Sequence, residues 1–225
     1  EMDASIMDGR TLDAGAVSMI RTVKNPVVLS RIIMTKTKHV MFSGYGALEL
    51  AKRREVILEP ESYFITDHQF DAFKKLAKPE EIQKAIEKKT HGTVGAVALD
   101  KKGNLAAATS TGGTSHALPG RIGDSCIIGG GCYANNNTCA VSGTGQGEFL
   151  ITGVVAHTIS MLIELKRMPL QKACDEVIHE RNKKQGEMGV IAVDKKGNVS
   201  FSFNTKIMRR GCIDAQGNLF VSIYQ

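Results

Sequence analysis

The sequence predicts an α+β chain built in stacked layers, with sheet inside and helices outside. Three observations lead there. Near residue 90 the apolar pattern changes from helix-like spacing to strand-like runs. The motif Asp-x-x-Gly-Asn occurs three times, at Asp100–Asn104, Asp194–Asn198 and Asp214–Asn218, each time leading into an apolar run. Between the first two copies, Glu148–Lys166 and Leu170–Lys184 read as two adjacent amphipathic helices separated by Pro169.

Taken in order, Thr11–Lys24 places Leu12, Ala16, Met19, Ile20 and Val23 at helical spacing. Pro26 opens a second helix to about His39, since proline suits a first helical turn. Gly46–Arg54 reads as a third. Pro60–Lys89 is charged, with Thr66 or Asp67 as a helix cap, Pro79 as an interruption, and Glu80–Lys89 as a solvated helix or linker. Beyond it, Val94–Thr111 and Met188–Thr205 echo each other: an apolar run, Asp-Lys-Lys-Gly-Asn, then a second run. Gly103 and Gly197 fall where a hairpin turn needs positive φ, so the sheet is expected to grow by antiparallel hairpins.

Composition narrows the function. The 225 residues suffice for a sizeable core, and 42% hydrophobic with 23% charged is ordinary globular usage. The net charge of +6 is weak support for nucleic-acid binding when only 5% of residues are aromatic and no nucleic-acid-reading motif is present. Five cysteines without a CxxC argue against a disulfide scaffold or zinc site and suit reduced thiols in the cytoplasm. The longest apolar stretch, Phe149–Ile163, reads as too short and too polar to cross a membrane. No signal peptide is evident, and the opening on Glu1 suggests a processed or incompletely covered protein.

Glycine clusters between residues 92 and 147, in HGTVGAVALD, ATSTGG, LPGRIGDS, GGGCYANN and SGTGQGEF. Such glycines let backbone amides approach a small ligand, or simply form turns. GTGQGE lacks the Lys-Ser/Thr of a phosphate loop, GGGCYANN lacks the rest of a dinucleotide fingerprint, and there is no G-x-S-x-G. Cys132 has no evident base and reads as a buried thiol; His157 reads as a core histidine. Thr93 remains. A threonine hydroxyl becomes a nucleophile if the residue is N-terminal, because its own α-amine then takes the proton. That requires cleavage between Gly92 and Thr93; otherwise Thr93 simply starts a strand.

GTVGAVALD, TSTGG, PGRIGDS, GGGCYANN and GTGQGE, in this order and with EMDASIMDG at the start, resemble the plant-type L-asparaginase and isoaspartyl aminopeptidase family of N-terminal-nucleophile hydrolases. The resemblance runs over essentially the whole chain. It implies a four-layer αββα sandwich, one domain over 1–225, and self-cleavage into pieces 1–92 and 93–225. Thr93 would be the nucleophile and Thr111 its supporting hydroxyl. Arg121 would hold the substrate carboxylate, and Asp124 with the Gly113 backbone the ammonium. Thr144 and Gly145 would form the oxyanion hole. The substrates implied are L-asparagine and β-aspartyl dipeptides, with L-aspartate released. No organic cofactor, nucleic acid or membrane partner is implied, and two αβ units are expected to pair.

The family also begins with a strand, and has a loop with a structural sodium; neither falls within these residues. In that resemblance EMDASIMDG leads a helix. Thr114 stands where the family commonly has an apolar residue, a tuning change near the substrate. Glycosylasparaginase shares the chemistry, but Gly92 and Gly113 favour the asparaginase pattern. The alternative from another class is an uncleaved, non-catalytic homologue that binds a ligand or partner.

Overall fold

A computed structural model describes residues 1–67, 70, 71, 74, 91–114, 117–182 and 186–224. β1 (Met2–Asp8) and β2 (Ala14–Ile20) form an antiparallel pair, followed by α1 (Pro26–Lys36), β3 (Met41–Ser43) and α2 (Gly44–Arg53). β4 (His91–Leu99) and β5 (Leu105–Thr114) complete a five-stranded sheet in the order β3-β2-β1-β5-β4. A second sheet, β6-β7-β8-β9, is formed by Cys132–Ala134, Cys139–Gly145, Met188–Asp194 and Val199–Phe203. Between β7 and β8 lie α3 (Gly147–Thr152), α4 (Val155–Lys166) and α5 (Leu170–Asp175), the last continuing through a π turn at Glu176–Arg181. β10 (Ile207–Ile213) and β11 (Leu219–Tyr224) pair as a separate hairpin.

Three apolar clusters hold these elements. Leu29, Ile33, Ala47 and Ala51 from α1 and α2 pack on Ala4, Val17 and Ile20 of the first sheet. Met7, Ala14, Leu105 and Ala107 meet Cys132, Ala134, Ala140 and Val193 between the two sheets. Val141, Met188, Val190 and Ala192 of the second sheet are covered by Leu150, Val155, Ile159, Ala173 and Val177.

The three Asp-x-x-Gly-Asn segments do turn the chain between antiparallel strands. Gly103, Gly197 and Gly217 adopt φ of 82°, 83° and 86°. In each, the aspartate carboxylate accepts from the backbone amide two residues on and from the asparagine, side chain and amide alike.

The first segments depart from expectation. Thr11–Lys24 is a tight turn and strand β2, and EMDASIMDG is strand β1 rather than a helix leader. Ala14, Gly15, Ala16, Val17, Ser18 and Ile20 are all buried, because β2 is covered on both faces. A strand buried on both faces loses its alternation, so spacing alone reads it as helix. At Gly15 an added Cβ would lie 1.9 Å from the Ser30 carbonyl oxygen of α1, so glycine lets that helix approach the strand closely. The expected helix at Pro26 is present, whereas most of Pro60–Lys89, including Pro79 and the Glu80–Lys89 run, lies outside the described residues.

The apolar run needs a different account from the sequence reading. By length and mean hydropathy (20 residues, 1.5), Gly147–Lys166 is sufficient to cross a bilayer. Here the run breaks at Gly153–Val154, with Val154 at φ 46°, and its Leu150, Val155, Ala156 and Ile159 are buried against the second sheet, while 28% of its apolar window is buried.

Candidate active site

The site begins with strand register. Thr93 on β4 is directly opposite Thr111 on β5, and Thr111 is opposite Asp3 on β1. The three residues thus form a row across adjacent strands. The next residues on the same face, Gly95, Thr109 and Ser5, form a second row. Thr109 bonds across to Ser142 of the second sheet, and to the Gly131 carbonyl, so these rows face the space between the sheets. A side chain at Gly95 would run into Ser142, so glycine there lets the two sheets close together.

The Thr93 hydroxyl donates to the Thr111 hydroxyl at 3.5 Å. That is long for two hydroxyls, and such contacts commonly tighten only when substrate completes a site. Thr111 is 8% exposed and also accepts from the Gly113 amide at 3.1 Å. Gly113 has φ 85°, which glycine adopts freely. The β4–β5 register shifts between His91 and Thr93, placing a bulge beside the Gly92–Thr93 bond. Gly92 itself is exposed.

A second group forms around the loop before the short turn Asp124–Cys126. The Arg121 guanidinium donates through Nε and Nη2 to one oxygen of Glu148 on α3, at 3.1 and 3.0 Å. Asp124 is 4% exposed, and its Oδ2 has no hydrogen-bond partner. Burial pushes its carboxyl up to about 7; Arg121 opposes that shift, while Asp3 and Glu148 reinforce it. Gly147 closes the group: a Cβ there would lie 2.8 Å from Arg121 Nη2 and 2.9 Å from Asp124 Oδ1. A guanidinium grouped with a buried carboxyl that has one unpartnered oxygen offers complementary charge to both ends of an α-amino acid.

Asp3 joins the two groups, because its carboxylate accepts from the Gly123 amide at 2.9 Å. Thr144 and Gly145 end β7, opposite Gly189 and Met188, and β7 packs across from β4 and β5. Gly145 has φ 132°, in the region favouring glycine. Among the described residues, no hydrogen bond ties Thr144 or Gly145 to the Thr93 row. Sequence reasoning missed Glu148, although it stands in the quoted GTGQGE, and it missed Asp3 within EMDASIMDG.

Cys126, Cys132, Cys139 and Cys174 are buried core thiols, whereas Cys212 on β10 is half-buried. Burial pushes Cys132 up to about 11 and Cys126 up to about 12, which keeps both protonated and unreactive at neutral pH. All five are unpaired. Among the described residues, no group of three or more His, Cys, Asp or Glu is arranged to hold a metal.

A family model described as Asparaginase matches residues 1–223. The isoaspartyl peptidase of Escherichia coli K12 is 43% identical over 219 residues, covering 93% of this chain and 68% of its own length. The isoaspartyl peptidase/L-asparaginase of Danio rerio is 38% identical over 224 residues, covering 100% and 72%. That of Rattus norvegicus is 43% identical over 201 residues, covering 88% and 59%.

Proposed function

The chain belongs to the asparaginase family, and on that footing we propose that it is a self-cleaving threonine hydrolase of L-asparagine and β-aspartyl dipeptides. The layered packing of helices on paired sheets supports the αββα sandwich expected of such an enzyme, as one domain over 1–225 cut into pieces 1–92 and 93–225. Five unpaired cysteines support a reducing, cytoplasmic setting.

In this mechanism the Thr93 hydroxyl first attacks the Gly92 carbonyl; the acyl group moves from nitrogen to oxygen, which frees the Thr93 amine, and water then hydrolyses the ester to release the hydroxyl and a Gly92 carboxylate. The amine then takes the hydroxyl proton as Thr93 attacks the substrate side-chain carbonyl. Thr111 holds the hydroxyl in line. The tetrahedral oxyanion receives hydrogen bonds from the Thr144 hydroxyl and the Gly145 amide. Ammonia or an amino acid leaves with the proton, and water releases L-aspartate from the acyl-enzyme. Arg121 and Asp124 hold the α-carboxylate and α-ammonium, with the Gly113 backbone also facing the ammonium. Glu148 accepts from Arg121 Nε and Nη2, so a substrate carboxylate competes with it for the guanidinium.

The observation carrying this reading is the buried Asp124 carboxyl, with one oxygen unpartnered and the other sharing the Gly147 gap with Arg121. N-acetyl-asparagine lacks the ammonium and succinamic acid lacks the amine altogether, so both should be poor substrates beside L-asparagine. Comparable turnover of either would remove Asp124 from substrate binding. Thr144→Val keeps shape and deletes the hydroxyl. On cleaved protein it should leave L-aspartate binding intact and lower kcat by about 10²–10³. Weakened aspartate binding, with no turnover in the parent to lose, would favour a ligand-binding module instead.

A further inference from the structure

Asp3 is a buried acid, 4% exposed, whose two oxygens serve two backbone amides. Oδ2 accepts from Gly123 at 2.9 Å and Oδ1 from Met19 at 3.1 Å. Met19 has φ 57°, and the β1–β2 register slips between Met2 and Ala4. This bulge in β2 presents an amide to Asp3 that regular pairing would have used in the ladder.

Two residues along the same face of β1, the Ser5 hydroxyl donates to the Ser125 carbonyl at 2.6 Å. Asp3 and Ser5 therefore grip the backbone on both sides of Asp124, each across 120 residues of sequence. A carboxylate suits this role where an amide does not. Asn offers one acceptor, and its NH₂ would face the second N–H. Asp3 is also the register partner of Thr111, which is paired with Thr93. It is the one described side chain bonded to the Arg121–Asp124 loop from within the threonine row.

Building on the proposed function, we propose that Asp3 is a positioning residue that fixes the distance between the Arg121–Asp124 substrate clamp and the Thr93–Thr111 pair. The charged end of the substrate would then be held at one span from the carbonyl to be attacked. Loosening that span costs mainly substrate binding. It also changes the electrostatics of the clamp. The charged groups facing Asp124 are Arg121 from its own loop, Asp3 from β1 and Glu148 from α3. Removing the Asp3 charge lets Asp124 ionise at lower pH.

The test is Asp3→Asn, compared with the parent on protein cleaved at Gly92–Thr93. KM for L-asparagine should rise about tenfold with a much smaller change in kcat. The acid limb of kcat/KM should move to lower pH, which loss of stability alone would not produce. An unchanged KM and acid limb would overturn the proposal, as would a fall in kcat with KM unchanged. If Asp3→Asn does not fold, Ser5→Ala carries the test: KM should rise with kcat retained, and an unchanged KM overturns the two-point grip. Hydrogen exchange at the Gly123 amide is read in the same samples and does not depend on turnover. It should be faster in Asp3→Asn, and equal exchange would overturn the grip. A parent protein that neither splits nor hydrolyses L-asparagine would instead defeat the proposed function, while Gly123 exchange still decides the role of Asp3.

Discussion

At Asp124 the proposed binding role runs against stability. Its carboxyl is raised from 3.8 to about 7, chiefly by burial. At about 1.4 kcal/mol per pKa unit, holding it ionised in the fold costs up to about 4 kcal/mol. Because the folded value lies above the unfolded one, its stabilising contribution is fully present below about pH 4 and is lost as pH rises through about 7. Asp124→Asn should therefore melt at a higher temperature than the parent at pH 8, the gap closing towards pH 4, while L-aspartate binding is lost. Equal melting temperatures at both pH values would contradict this account of the carboxyl. The residue types at Thr93, Thr111, Arg121 and Asp124 were legible in sequence. Glu148 and Asp3 were not, because their roles come from pairings across 27 and 120 residues that no local pattern encodes.

At the scale of elements, α3 brings Gly147 and Glu148 to Arg121 and Asp124 in its first turn. Gly147 is the first residue of α3, where replacement by Ala gains little helix propensity. The added methyl would enter the space between Arg121 Nη2 and Asp124 Oδ1. KM for L-asparagine should rise about ten- to a hundredfold, since small misplacements at a site are costly, with some loss of thermal stability from the crowding. An unchanged KM would show that substrate does not enter this gap. The hairpins were legible because Asp-x-x-Gly-Asn encodes its own turn through side-chain bonds and one positive φ. β1 and β2 were not, because Ala16, Val17 and Ile20 are buried whichever face they occupy, so no alternation marks the strand.

The whole molecule is arranged so that a cut at Gly92–Thr93 need not separate its parts. β1, from the first piece, pairs with β5 from the second along Asp3–Asp8, and Met7 and Ala14 share an apolar cluster with Leu105, Ala107, Cys132 and Ala140. The Asp3–Gly123 and Ser5–Ser125 bonds add ties beside the proposed site. Cleavage would thus free the Thr93 amine without dismantling its surroundings. The most direct test is the intact mass of the purified chain and of Thr93→Ala, measured under denaturing conditions, with native size and L-asparagine hydrolysis recorded on the same samples. The expected result is two pieces meeting between Gly92 and Thr93 that travel together natively and turn over L-asparagine, and a single inactive chain for Thr93→Ala. The same cut in Thr93→Ala, or hydrolysis by a parent chain that stays whole, would contradict the assignment of Thr93 as an N-terminal nucleophile.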